Sequence, residues 1–448
     1  MIHKYKLFNK NIVLDINSGS VHIVSDSVFD IISNPTDIQV SVIEKYGQAV
    51  IDEAVAEINE LIEKGLLYSK DIYKHYRDLK TKTPPVKALC LHMAHDCDLR
   101  CRYCFAKTGS FAGERGLMDE ETAKRAIDFV IKNSQSRRNI EIDFFGGEPM
   151  LNFDVVKKTV EYANAEAEKY NKNFRFTITT NGLLLNDEHM EYINKYMSNV
   201  VLSCDGRKEV NDKNRKTIDG QGCYDEIIGK FQKVANARSQ TDYYIRGTFT
   251  NDNLDFKNDV LHLADLGFKQ ISVEPVTLDE KHSLAIKKEH LPRIFDEYEE
   301  LAKEIIKREK SGENKFNFFH FMIDLQEGPC ALKRISGCGA GCEYLAVTPG
   351  GDIFPCHQFA DEPEFKMGNV FVDSEIAANS ELRENFRMRD IYEIENCQNC
   401  FAKFYCSGGC AASSQKFCDN LLKPYEIGCE LQKKRTEVAI AIVAVLSD

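Results

Sequence analysis

Cys97, Cys101 and Cys104 stand in the stretch HDCDLRCRYCFA, directly after an apolar run at residues 87–93 that reads as a strand. The spacing C-x3-C-x2-C places three thiolates on one tight loop. Three thiolates can hold three irons of a four-iron cluster and leave the fourth iron open for another ligand. Structural zinc takes four ligands, usually as two separated pairs, so this loop alone is a poor zinc site; buried or disulfide-bonded cysteines are the plain alternative. A second concentration of thiols follows. Ten of the sixteen cysteines lie beyond residue 311. Among them Cys338 and Cys356 frame Gly351 as C-x12-G-x4-C, and Cys397, Cys400, Cys406 and Cys410 form C-x2-C-x5-C-x3-C, with Cys429 last. Thiolate-rich sites suit zinc and iron–sulfur clusters alike, so ligand type by itself leaves the metal open.

Other chemistry-bearing residues fall where strands should end. Gly146-Gly147-Glu148-Pro149 offers a close backbone approach beside a carboxylate able to accept from an ammonium group. Thr180-Asn181-Gly182, Ser203-Cys204-Asp205-Gly206 and Arg215 follow, and Arg246, Thr248, Glu274 and Pro275 lie further along. Arg215 carries a guanidinium fork suited to a carboxylate. For the last four, strand packing or a structural ion pair is an equal reading. Cys90, Cys204 and Cys223 read as small buried hydrophobes.

The elements that must position these groups divide the chain in three. Residues 1–78 show three β-like runs (3–8, 11–16 and 21–26), then helical patterns at 27–32, 40–46 and 51–64, suggesting a winged-helix-like domain. Such a module could add a peptide as a strand at an open sheet edge; a plain packing extension is the alternative. A Lys-rich linker with Pro84 and Pro85 follows. Residues 86–310 alternate strand and helix, with strands at 87–93, 140–145, 174–180, 199–205, 243–250 and 270–276. Six βα units predict an α/β fold, a parallel sheet forming a partial (β/α)6 barrel with its site at the carboxyl ends of the strands. Residues 311–448 are loop-rich until a final helix at 431–446, and metal clusters would replace the missing apolar core. The net charge of −12 provides no basic footprint for nucleic acid. No signal core and no membrane-length apolar run is present, so the cysteines are expected in a reducing cytoplasm.

Taken together, these motifs resemble those of the radical S-adenosylmethionine (SAM) enzymes. The resemblance implies a SAM-binding [4Fe-4S] cluster on Cys97, Cys101 and Cys104, with Tyr103 and Phe105 in the usual aromatic positions of its loop. It implies that Gly146, Gly147, Glu148 and Pro149 bind the methionine amino group, that Thr180 and Asn181 belong to the same cofactor site, that Ser203 and Asp205 hold the ribose, and that Arg215 holds the methionine carboxylate. Reductive cleavage of SAM to a 5′-deoxyadenosyl radical is the activity implied. The tail is similar to a SPASM domain carrying two auxiliary [4Fe-4S] clusters, three in all. Its crossed pattern implies Cys338, Cys356 and Cys410 for the first and Cys397, Cys400, Cys406 and Cys429 for the second. Cys330 is the candidate fourth ligand of the first; an iron left open for a substrate thiolate is the alternative, and the extra Cys342, near Cys338, leaves the choice there undecided.

The longer runs Phe318-Phe319-His320-Phe321-Met322, Gly337-Cys338-Gly339-Ala340-Gly341, Tyr344-Leu345-Ala346-Val347-Thr348-Pro349, Pro355-Cys356-His357-Gln358-Phe359 and Tyr405-Cys406-Ser407-Gly408-Gly409-Cys410 resemble maturases of SCIFF (ranthipeptide) precursors. That resemblance implies thioether cross-links between a cysteine sulfur and a carbon of an acceptor, threonine, in a short cysteine-rich ribosomal peptide bound through its leader. It implies a one-electron donor such as a flavodoxin or ferredoxin. An anaerobic sulfatase maturase making formylglycine, a sactipeptide synthase, and a non-catalytic iron–sulfur or zinc scaffold are the competing readings.

Overall fold

The computed structural model describes residues 1–77, 84–325, 331–372 and 380–447. The chain begins with an antiparallel sheet of β1 (Ile2–Leu7), β2 (Lys10–Asp15) and β3 (Val21–Ile23), with β2 in the centre. Helices Asp26–Ile31, Val40–Tyr46 and Gln48–Glu63 follow, in the order the sequence predicts. The period-2 alternation of β2 divides its side chains between two cores. Val13 meets Val28, Ile31, Ile51 and Ile58 of the module's own helices. Ile12 and Leu14, with Ile16 just beyond, meet Ile391, Ile394, Phe404 and Ile440 from the end of the chain. Residues 71–77 run along that same region: the Tyr392 hydroxyl donates to Asp71 at 2.9 Å, and Arg77 pairs with Asp390 at 3.3 Å.

Six parallel strands carry the centre of the molecule: β4 (Ala88–Ala94), β5 (Asn139–Gly146), β6 (Asn173–Thr180), β7 (Asn199–Ser203), β8 (Tyr243–Phe249) and β9 (Gln270–Pro275). They lie side by side in chain order, the winding of a barrel rather than of a doubly wound sheet. β4 is buried at every residue, as expected of a parallel strand covered on both faces. The intervening helices start on sequence signals. Asp119 caps Glu120–Asn133 by accepting from the Thr122 amide at 2.7 Å, with Glu120 and Glu121 in the first turn, and Ala123, Ala126, Ile127 and Val130 are buried.

The barrel stays open because its two outer strands pair elsewhere. β10 (Asn317–Phe318) adds in parallel to β9, and β11 (Tyr344–Val347) adds in parallel to β4, followed by antiparallel β12 (Asp352–Phe354) and β13 (Gly368–Asn369). The cysteine-rich tail, expected to be loop-rich, therefore contributes strands to both edges of the ten-stranded sheet. The final helix begins earlier than expected, at Glu426, and runs to Leu446 against helix Leu291–Ser311 and β2. Among the described residues, no helix is long and apolar enough to cross a membrane.

Candidate active site

A cavity of about 260 Å³ opens at the carboxyl ends of the parallel strands. Its floor is the cysteine loop, which is bonded through its backbone on both sides. On one side the ladder of β4 and β5 continues past the strands: the Gly147 amide donates to the Ala94 carbonyl at 2.7 Å and the Glu148 amide to the Asp96 carbonyl at 2.8 Å. A Cβ at Gly147 would sit 1.9 Å from the Asp96 oxygen, so only glycine permits this approach. On the other side, the Arg100 and Arg102 amides donate to the Lys216 and Asn214 carbonyls at 2.6 and 2.9 Å. Two segments far apart in sequence thus fix the loop carrying Cys97, Cys101 and Cys104, and all three cysteines line the cavity.

Around the loop the predicted residues converge. Tyr103, Phe105, Gly146, Gly147, Glu148, Thr180, Asn181, Ser203 and Arg215 all line the same space. Pro149 and Asp205 do not. Pro149 opens the short helix Pro149–Asn152, which Glu148 caps through the Met150 amide. Asp205 is fully buried; both its oxygens accept from the Tyr103 hydroxyl at 2.7 Å, and one accepts from the Thr248 amide at 3.0 Å. Burial raises the Asp205 carboxyl to about 6 against the opposing charge of Arg215. Asp205 therefore acts on the cavity through Tyr103, whose hydroxyl also accepts from Arg215 Nη1 at 3.2 Å.

Glu148 is 1% exposed and accepts from the Thr180 hydroxyl at 2.7 Å and the Asn181 amide at 2.8 Å. Burial outweighs these bonds and raises its carboxyl to about 7. Arg215 is buried, and its Nε has no hydrogen-bond partner. Burial pushes the Cys97 thiol up, and the Cys101 thiol to about 12, so both are protonated while empty and release protons to a metal. The Leu99 amide donates to the Cys97 sulfur at 3.4 Å. An ammonium beside Glu148, a carboxylate on the unpartnered Nε of Arg215 and iron on three adjacent thiols would each find a partner here, so the residues fit a cluster-bound amino acid group.

The sequence did not single out roles for His357 and Gln358, yet both line the cavity. They follow Cys356 directly, and the His357 ring lies 5.0 Å from Phe145 and 5.7 Å from Phe105. Asp98 was also missed: it accepts from the Asn181 side-chain amide at 2.6 Å, and its second oxygen is buried without a partner. Arg246 and Glu274 stand 3.7 Å apart on the wall. Burial acts against ionisation of Glu274, but His320, Arg246 and Arg435 outweigh it and hold the carboxyl at about 2.

The tail cysteines gather in two groups. β11 and β12 form a hairpin with Gly351 at its turn, so Cys338 and Cys356 return to its open end. Burial pushes the Cys356 thiol up, reinforced by Cys410 and Cys338 as neighbours of like charge. In the second group burial raises Cys397 to about 12 and Cys429 to about 11, with Cys400 and Cys406 close enough to add to both. The turn Ser407-Gly408-Gly409, left-handed at all three residues, separates Cys406 from Cys410 and directs them to different groups. Cys330 lies outside the described residues. Cys342 is buried among Phe354, Phe359 and Phe386, its thiol donating to the Arg383 carbonyl at 3.7 Å. Cys90, Cys204 and Cys223 are buried, as expected. Among the described residues, no three His, Cys, Asp or Glu side chains converge as closely as one metal ion requires.

Comparison with known proteins places two family models on the chain. The radical SAM superfamily model matches residues 91–245, and an iron–sulfur cluster-binding domain model, SPASM, matches residues 338–401. The chain is 31% identical over 275 residues to the uncharacterized protein MJ0907 of Methanocaldococcus jannaschii, covering 60% of this chain and 85% of the relative. It is 24% identical over 400 residues to the radical SAM cyclopropyl synthase TigE of Paramaledivibacter caminithermalis, covering 84% and 80% respectively. Among solved structures, native anSMEcpe with bound AdoMet aligns over 81% of this chain and 99% of its own, at 20% identity and a TM-score of 0.65. SuiB of Streptococcus suis bound to its precursor peptide SuiA aligns over 94% of this chain and 98% of its own, at 18% identity and a TM-score of 0.54. The fold is thus shared with both.

Proposed function

This chain belongs to the radical SAM superfamily, and we infer from that premise that it is a peptide maturase forming thioether cross-links in a short cysteine-rich precursor, with threonine as acceptor. The observation that carries the reading is that one cavity brings the cysteine loop together with His357 and Gln358, the two residues that follow Cys356. The SPASM match supports auxiliary clusters in the tail; three [4Fe-4S] clusters is the count we propose. The amino-terminal module supports delivery of the substrate by its leader, because β3 lies at the edge of a three-stranded sheet, and because the SuiB structure, solved with its precursor peptide, aligns over nearly the whole chain. A small one-electron protein such as a flavodoxin or ferredoxin would be the reductant.

When bound, the reduced cluster and SAM supply a carbon-centred radical able to abstract hydrogen. The chain's residues do the rest. Glu148 would hold the methionine ammonium and Arg215 its carboxylate, a charge-assisted pair fixing SAM over Cys97, Cys101 and Cys104. Ser203, and Asp205 through Tyr103, would set the ribose side. Phe105, Phe145 and the His357 ring, which line the cavity together, would present an apolar wall to the reacting face. The substrate sulfur would stand on the Cys338, Cys356 and Cys410 side, where a metal-bound thiol needs no protein base.

The test is mass spectrometry of a candidate precursor after turnover with SAM and reductant by the cluster-loaded enzyme. A product lighter by two hydrogens that has also lost one alkylatable thiol per modification is expected. Loss of two hydrogens with every thiol still reactive would point instead to carbon–carbon chemistry of the kind named for TigE or to formylglycine made from serine, which an aldehyde-specific reagent tells apart, and loss of sulfur would point to formylglycine made from cysteine. NMR of the product separates a side-chain thioether from a sactipeptide link at an α-carbon.

A further inference from the structure

We infer that Arg389 is the shared counter-charge of the two tail cysteine groups and sets the electron affinity of both auxiliary clusters together. The inference rests on the reading of those cysteines as cluster ligands. Arg389 is 5% exposed. Its Nε donates to the Leu421 carbonyl at 2.9 Å, and its Nη2 to the Gly408 carbonyl at 2.5 Å and the Ser414 hydroxyl at 3.5 Å. A guanidinium keeps its charge throughout the pH range of a folded protein, and a buried charge needs opposite charge as well as hydrogen bonds. Arg207 shows the usual solution, an ion pair with buried Asp259 at 2.7 Å. Arg389 has neutral acceptors only; among the described residues it makes no ion pair with a carboxylate.

The groups whose charge reaches it are thiols, and they come from both sets: Cys410 and Cys338 from one, Cys397 and Cys406 from the other. The contact to Gly408 explains this position, because Gly408 is the centre of the turn between Cys406 and Cys410. Thiols deprotonated for metal binding would give it anions on both sides. Each reduction adds negative charge within reach of a fixed cation in a dry site, which favours the reduced form and raises the potential of both clusters. Arg389 is thus a positioning residue with an electrostatic role, distinct from a mere tie across the turn.

The experiment is a redox titration followed by electron paramagnetic resonance. It uses the full, cluster-loaded chain in which Cys97, Cys101 and Cys104 are replaced by alanine, so that only the tail contributes. In Arg389→Gln both signals should move to more negative potentials, and Arg389→Lys should stay near the parent. Unchanged signals in Arg389→Gln, movement of one signal alone, or a lysine variant that behaves like glutamine would overturn the inference. If glutamine costs the protein its iron, iron content decides: a role in charge predicts that lysine retains it. A tie across the turn predicts that lysine loses it too, since one ammonium cannot reach Gly408 and Leu421 together. A parent chain with no iron in the tail would overturn the ligand assignment itself, and this inference with it.

Discussion

At the scale of the residue, Glu148 has the most measurable chemistry. In the empty protein its burial raises the carboxyl from 4.5 to about 7. The folded state then binds this proton more tightly than the unfolded chain does. The stability it contributes is complete below about 4.5 and is lost as pH rises to about 7. A ligand ammonium reverses the preference, because it pairs only with the carboxylate. SAM affinity should therefore be greatest between about pH 7 and about pH 8, where the ligand's own α-amino group begins to lose its proton, and weaken by up to about tenfold per unit below about pH 7, as calorimetry across pH would measure. Glu148→Gln should bind weakly at every pH and lose the slope; a slope that survived the substitution would assign the titration to another group. The cysteines of both systems were legible in the sequence because most of their spacing is local, a few residues within one turn or hairpin. Arg389 was not legible: nothing in its neighbourhood marks it, and its role exists only once Gly408, Leu421 and Ser414 are folded around it. His357 stood in a quoted run but gained a role only when β11 brought it against Phe105 and Phe145.

At the scale of the element, the junction of β4 and β5 determines whether the cysteine loop exists. Alanine at Gly147 would drive a methyl group into the Asp96 carbonyl, a backbone atom with no freedom to turn aside. Gly147→Ala should retain its circular-dichroism spectrum, since the strands themselves are untouched, yet lose iron at the first cluster and SAM binding. Gly229, inside helix Tyr224–Ala237 with nothing within 4 Å of an added Cβ, is the control. Gly229→Ala should be stabilising by up to about 1 kcal/mol, the helix preference for alanine. A Gly147→Ala protein with full iron and SAM affinity would show that the loop can shift after all. The six long strands were legible because they are apolar runs alternating with capped helices. β10, β12 and β13 are only two or three residues long, too short for any period to register, and their place depends on partners elsewhere in the chain.

At the scale of the whole molecule, the amino-terminal module is bound into the structure. Ile12, Leu14 and Ile16 are each at most 2% exposed and share a core with Ile391, Ile394 and Phe404. The burial of each such side chain is worth about 1.5–3 kcal/mol. Deletion of residues 1–77 should accordingly lower the melting temperature and expose an apolar face next to Cys397, so loss of activity in that variant would say little about leader binding. A point change at the sheet edge separates the two effects. Ile23 on β3 is 42% exposed; Ile23→Lys should leave melting unchanged and raise KM for a leader-bearing peptide roughly tenfold, about 1.4 kcal/mol, with kcat preserved. An equal effect on a leaderless core peptide would show that β3 has no part in delivery. The sheet's two borders carry a different consequence, one of time. β4 pairs with β11 at Ala88 and Tyr344, and β9 with β10 at Gln270 and Asn317. Until the ribosome has made those late strands, the nascent barrel presents bare strand edges, which invite mispairing with other chains. Long-range pairing of this kind is also slow to form. Chaperone demand and yield should then depend on how fast the last third of the chain emerges, and truncated products should be the ones that aggregate.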